Sequence, residues 1–329
     1  MKNMSKKIVI WLRNKNQRFR ENFCAPIVFK IMDIFGIKRR LPFTCTGDKA
    51  QELIYNKLIS GQPCMIGRIG SMEIRSIESF INENCSFLKK IKLFLTLHPT
   101  GQSKKIQDKW RNLESNRFDR AFHEKFTSET LEDAKELDIF ASWRWEETGV
   151  FQQPTPFDVV SLNDLEPFFS SKPWTRALAG KKVLVIQPFY KAIEYQYGRR
   201  ERIFANADIL PEFELITYQP FYRGVRENSD GTLDYFRNLE CMKKEIAEIE
   251  FDIALIAAGP YGFSLAAEIK RRGKQAVVMG GVLQLLFGIR GNRWDAVAKY
   301  KSLCNEYWIR PGDEYKPKHF SRIDGGCYW

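Results

Sequence analysis

The chain has 329 residues, with 52 Lys and Arg against 40 Asp and Glu, a formal net charge of +12. At 44% hydrophobic and 28% charged it has the makings of a folded domain with a sizeable core, which excludes a disordered chain. The charge is uneven: residues 1–40 hold eleven basic and two acidic side chains, a net +9, and leave only +3 for the rest. No nucleic acid is expected as a partner, because the bulk of the chain is near neutral.

Within residues 1–40, Ile27, Ile31, Ile34 and Phe35 share a helical face with Lys30 and Lys38 elsewhere. Such a segment suits an anionic membrane surface, where each basic residue contributes about 1 kcal/mol. It suits equally a helix packed on the domain with a solvated basic side. No stretch reaches the roughly 18 apolar residues of a membrane span, and no signal-peptide pattern is present. Seven scattered cysteines without a Cys-x-x-Cys pair, together with three histidines, predict reduced thiols in a cytoplasm, with no zinc site or disulfide framework.

From Lys49 the pattern becomes α/β. A helix is predicted over 49–60, then a strand at 64–66, a glycine-containing turn and a helix from Ser71. Residues 86–140 read as mainly helical, with Leu131, Ala134 and Leu137 on one face. Trp143, Trp145 and prolines 154, 156, 167 and 173 mark a loop-rich connection. Then follow a strand at 183–187, a helix over 191–205, a strand at 214–218 and a helix over 233–249. A strand at 253–257, Gly259-Pro260, a helix to Gly273, a strand at 276–279, Gly280-Gly281 and a further helix complete the series. Strands alternating with helices of this length predict one α/β domain, Rossmann-like, with a doubly wound and mainly parallel sheet carrying helical insertions. It spans residues 41–310, after the basic N-terminal segment and before a C-terminal tail at 311–329.

Such sheets bind ligands beyond the carboxyl ends of their strands, which singles out three loops. In Gly67-Arg68-Ile-Gly70-Ser71-Met-Glu73, the glycines admit a close backbone approach and Ser71 is placed to cap the next helix. Arg68 would reach a diphosphate, and Glu73 offers a hard oxygen to a cation. The plain alternative is a capped helix, with Glu73 complementing its dipole and Arg68 in an ion pair. In the second loop, Gly259, Pro260 and Tyr261 follow a buried strand; the turn would hold phosphate and Tyr261 would stack on a base, or serve as a core aromatic. The third, Gly280-Gly281, leads to Arg290 and Arg293. A further cluster, Arg199-Arg200-Glu201-Arg202, offers guanidiniums or a solvated helix face.

The turn Arg68-Ile-Gly70-Ser-Met-Glu73 resembles the Arg-aromatic-Gly-Asp-Gly-Glu turn of GT-D-type glycosyltransferases, a bacterial family. The later Asp252-Ile-Ala-Leu-Ile-Ala-Ala-Gly259-Pro260, with its following helix and strand, resembles that family's late strand–Gly-Pro–helix–strand unit. The closing Gly325-Gly-Cys327-Tyr-Trp329 is similar to the ends of proteins from surface-polysaccharide gene clusters. The resemblance implies sugar transfer from a nucleotide-sugar donor to a glycan or lipid-linked acceptor, in the cytoplasm or on the inner membrane face. It implies a nucleotide diphosphate across the turns at Gly70 and Gly259, with Arg68 and Arg200 or Arg290 neutralising the leaving group. It also implies Mg²⁺ or Mn²⁺ at Glu73, Ser71 standing where the family has its first metal-binding aspartate. An acid drawn from Asp48, Glu146 and Glu147 would serve as base. The rival classes are a methyltransferase or other nucleotide-dependent enzyme, and a non-catalytic scaffold.

Overall fold

The computed structural model describes residues 40–83, 110, 119–222, 226–227, 234–316, 320 and 326–329. The amphipathic stretch within residues 1–39 lies outside them. Seven parallel strands form one sheet in the order β3-β2-β1-β7-β6-β4-β5. In chain order they are β1 Cys64–Gly67, β2 Leu137–Ser142, β3 Asp158–Ser161, β4 Lys182–Ile186, β5 Glu214–Tyr218, β6 Ile253–Ile256 and β7 Gln275–Val278. The Rossmann-like expectation is met, with helices on both faces and every strand pair parallel.

The inner strands are buried on both sides and read as continuous apolar runs for that reason. One face is covered by helix α1 (Asp48–Ile59), the β3–β4 connection, helix α4 (Tyr190–Tyr197) and, from the C-terminal part, residues 283–316, 320 and 326–329. The other is covered by α2 (Ser71–Ile81), α3 (Arg120–Asp133), α5 (Tyr235–Ala247) and α6 (Gly262–Arg271). Of the expected tail, Tyr315 and Trp329 pack against Phe189 in the first layer.

Three expectations fail. Of the helical reading of residues 86–140, positions 86–109 and 111–118 lie outside the described residues; the helix Arg120–Asp133 is present, but Leu137–Ser142 is β2, paired with β1 on one side and β3 on the other. Its Leu-Asp-Ile-Phe-Ala-Ser is too short and too mixed to declare a period, and burial between two neighbours decides it. Asp138 belongs there because it accepts the Met65 N–H (2.9 Å) and meets Lys57 (3.0 Å) and Lys270 (2.8 Å). Burial pushes its pKa up, but these donors outweigh it and hold the carboxyl below its ordinary value. The proline-rich loop likewise hides β3. The helix expected over 191–205 ends at Tyr197, where Gly198 and a short turn at Arg200–Arg202 take over.

The centre of the sheet is the β1–β7 pair, and it depends on one absent side chain. A Cβ on Gly67 would fall 2.6 Å from Val278 Cβ and 3.1 Å from Val278 N. Gly67→Ala is expected to cost about 2 kcal/mol through overpacking, read as a lower urea midpoint at unchanged slope; an unchanged midpoint would refute this close fit.

Candidate functional site

At the carboxyl ends of the strands lies a cleft of about 470 Å³, within the roughly 300–1,000 Å³ usual for small-molecule sites. The connection after every strand enters the lining, directly after all but β5, with Trp143 following β2 and Tyr222 coming four residues after the end of β5. β4 and β6 are neighbours whose connections leave in opposite directions, β4 toward β5 and β6 toward β7. Such a switch point opens a crevice in doubly wound sheets.

The β1 turn forms one wall. Gly70, extended at φ −69° and ψ 158°, is the N-cap of α2, so Ser71 is the first helical residue and not the cap. With no capping side chain on Gly70, Glu73 in the first turn folds back over it: a Cβ there would lie 2.1 Å from Glu73 Oε2. Gly70, Ser71 and Glu73 all line the cleft, at the positive end of the helix.

Arg68 lines the cleft and lies across the β7 turn. Gly280 has φ +66°, which favours glycine, and a Cβ on it would fall on the Arg68 guanidinium and displace it. Trp143 holds the other side, with the Arg68 guanidinium 5.7 Å from its ring centroid. Among the described residues Arg68 has no carboxylate partner; the ion pair that sequence alone left open is not made. Past Gly280, Gly281 carries Tyr328 against it, and Arg293 lies 4.7 Å over the Tyr328 ring. Arg68 and Arg293 therefore both line the cleft beside the Gly280–Gly281 turn.

Trp143 is set by buried acids. Its indole N–H donates to Ile69 O (3.1 Å), and its backbone N–H donates to Glu147, which also accepts from Ser142 Oγ and the Arg144 N–H. Burial pushes Glu147 up to about 7 against those donors. Glu146, fully buried, accepts from Arg144 (2.7 and 2.9 Å) and Arg75 (2.6 Å). Burial raises its pKa, but the two guanidiniums outweigh that and hold it below the ordinary carboxylate value. Neither acid lines the cleft; they are supports and not bases.

The other predicted residues divide. Gly259 (φ +54°) and Pro260 line the cleft. Tyr261 does not: it is fully buried and stacks on Tyr235 at 4.9 Å, which leaves no face for a base. Arg200 is spent on Glu212 (3.0 Å) and Glu201 (3.6 Å), away from the lining. Arg290 pairs with Asp295 (3.2 Å) and Asp48 is an exposed residue that accepts from Ser170 Oγ; both lie outside the cleft. Sequence reasoning passed over Trp143, Glu166, Gln187, Tyr300 and Tyr328, all in the lining. Gln187 follows a correctly placed strand and was within reach of the strand-end rule; Trp143 and Glu166 follow the two strands that were missed.

The implied Mg²⁺ or Mn²⁺ finds little here. Among the described residues no group of three or more His, Cys, Asp or Glu side chains gathers for a metal, and the carboxylates in the cleft, Glu73 and Glu166, sit on separate segments. The donor set does not fit a resident divalent cation, which needs several oxygens at once.

Comparison with protein-family models, curated proteins and solved structures finds no match to this chain.

The Glu146 pairing carries a pH signature. A carboxyl with a lowered folded pKa contributes stability above its unfolded value, about 4.3, and loses it as pH falls through the folded value. Glu146→Ala is expected to cost about 3 kcal/mol at pH 7, by leaving Arg75 and Arg144 without their buried partner. The gap from wild type should narrow below about pH 4; urea unfolding showing a gap constant with pH would reject the pairing.

Proposed function

We propose that the protein is a glycosyltransferase of GT-D type, moving a sugar from a nucleotide-sugar donor to a glycan or lipid-linked acceptor in surface-polysaccharide synthesis. The observation that carries this is the Arg68 guanidinium, laid over Gly280 and against Trp143 in the cleft without a carboxylate to neutralise it. A cation held in place by packing and not by an anion is prepared for one that arrives. Arg293 on the far side of the same turn makes a pair, which suits a diphosphate better than a single phosphate. The α2 amides behind Gly70 and the Gly259–Pro260 turn add backbone donors to the same wall.

In this reading Arg68 and Arg293 bind the diphosphate and neutralise the charge that grows on it as the sugar leaves. Trp143 packs beside the Arg68 guanidinium, which limits its reorganisation as charge develops. The +9 of residues 1–40 supports attachment to an anionic membrane face, where lipid-linked acceptors reside.

Thermal-shift titration with UDP, GDP and their sugars, with and without Mn²⁺, tests the assignment. Stabilisation by at least one nucleotide is expected, and Arg68→Ala should weaken that nucleotide by roughly 10- to 100-fold. Gly280→Ala should do likewise, because its Cβ displaces the guanidinium. Stabilisation by S-adenosylmethionine alone would favour a methyltransferase, and a response to no nucleotide would favour a scaffold. Removing residues 1–40 should release the protein from vesicles containing phosphatidylglycerol; undiminished co-sedimentation would refute the membrane role.

A further inference from the structure

Glu166 stands in the β3–β4 connection between two short turns, Leu162–Leu165 and Pro167–Phe169. It is only 7% exposed, yet it lines the cleft. A carboxylate this buried ordinarily has a close cation. Here the cation is Lys299, at 3.4 Å, on a side chain 42% exposed and shared with Asn163 Oδ1. The short contacts come from a neutral donor: Tyr300 Oη lies 2.7 and 2.9 Å from the two carboxylate oxygens. Burial pushes the Glu166 pKa up, and Tyr300 and Lys299, the titratable groups that act on it, only partly oppose that. The group is thus oriented by a phenol, weakly neutralised and open to whatever occupies the cleft, which is the condition of a general base.

Resting on the transferase reading, we propose that Glu166 is the catalytic base that deprotonates the acceptor hydroxyl, with Tyr300 as its positioning residue. The acceptor O–H proton passes to a Glu166 carboxylate oxygen, and the freed electron pair forms the bond to the anomeric carbon of the donor. The bond from that carbon to the β-phosphate oxygen breaks, and its electrons leave on the nucleoside diphosphate, whose added charge meets Arg68 and Arg293. One displacement on one face inverts the anomeric centre. The two acids of the cleft then have separate surroundings: Glu73 at the diphosphate wall, Glu166 at the acceptor corner beside Leu162 and Tyr300.

A purely structural Glu166 would tie residues 299–300 to the β3–β4 connection, and Glu166→Gln separates that role from a base. Its carbonyl still accepts from Tyr300, but it takes no proton. The full-length wild type, Glu166→Gln and Tyr300→Phe are given UDP-glucose, UDP-galactose, UDP-N-acetylglucosamine and GDP-mannose, with water as acceptor. Calorimetry reads donor binding, coupled detection reads diphosphate release, and NMR reads the first anomer formed. Glu166→Gln is expected to bind donor and melt as the wild type does, while turning over at least about 100-fold more slowly. The first sugar released by the wild type should carry inverted configuration. Tyr300→Phe removes a donor that favours the carboxylate, so the rising limb of rate against pH should move to higher pH.

Equal turnover by Glu166→Gln, retained configuration, a limb unmoved by Tyr300→Phe, or loss of donor binding together with turnover would each overturn the base while leaving the donor site standing. A wild type that binds none of the four donors overturns the transferase reading itself, and the base with it.

Discussion

The contact on which the rest is built is the close approach of β1 and β7 at Gly67 and Val278. These two strands are far apart in sequence and adjacent at the centre of the sheet, in register from Cys64 against Gln275 to Gly67 against Val278. Because they are parallel, their following turns emerge side by side, Arg68 from one and Gly280 from the other. The absence of a side chain at Gly67 sets how near the strands come, and its absence at Gly280 lets the guanidinium cross. A larger residue at Gly67 would press on Val278, and one at Gly280 would push the Arg68 guanidinium out of the turn.

A second tier of charge acts at one remove. Glu146 and Glu147 are buried side by side, yet their surroundings push them apart: two guanidiniums favour the charged form of Glu146, and enclosure raises Glu147. Adjacent carboxylates avoid mutual repulsion when one of them carries a proton. Glu147 holds the backbone of Trp143, whose indole is tied to the β1 turn, while Glu146 holds Arg75 and Arg144. Acids that look from sequence like bases thus do electrostatic work beneath the cleft, while the acids that line it are Glu73 and Glu166.

How much was legible follows from where each residue sits. The strands β4, β6 and β7 are apolar on both faces and were read to within a residue or so, and with them Gly259, Pro260 and the Gly280–Gly281 turn. The β1 turn declared itself through Arg68, Gly70 and Glu73. β2 and β3 were hidden, because six and four residues carry no period and Asp138 breaks the apolar run; Trp143 and Glu166 went with them. Arg68, Arg200 and Arg290 look alike in a sequence. Whether an acid such as Glu212 or Asp295 comes near is a tertiary fact, and it leaves Arg68 in the cleft and spends the others. Tyr261 was ambiguous between base and core, and the nearness of Tyr235 decided it.

The pairing of β1 with β7 also bears on how the chain is made. β1 is synthesised before β7, and this partner follows roughly 210 residues later; at about 5–20 residues per second, a ribosome takes on the order of 10–40 s to deliver it. Over that interval β2 covers one side of β1, and the other side presents unsatisfied N–H and C=O groups to any strand nearby. The nascent chain is thus exposed to mispairing at the place that will become its interior, and a chaperone serving this protein would have its longest task there. A strand enclosed on both sides in the finished molecule is, while it is being built, an open edge.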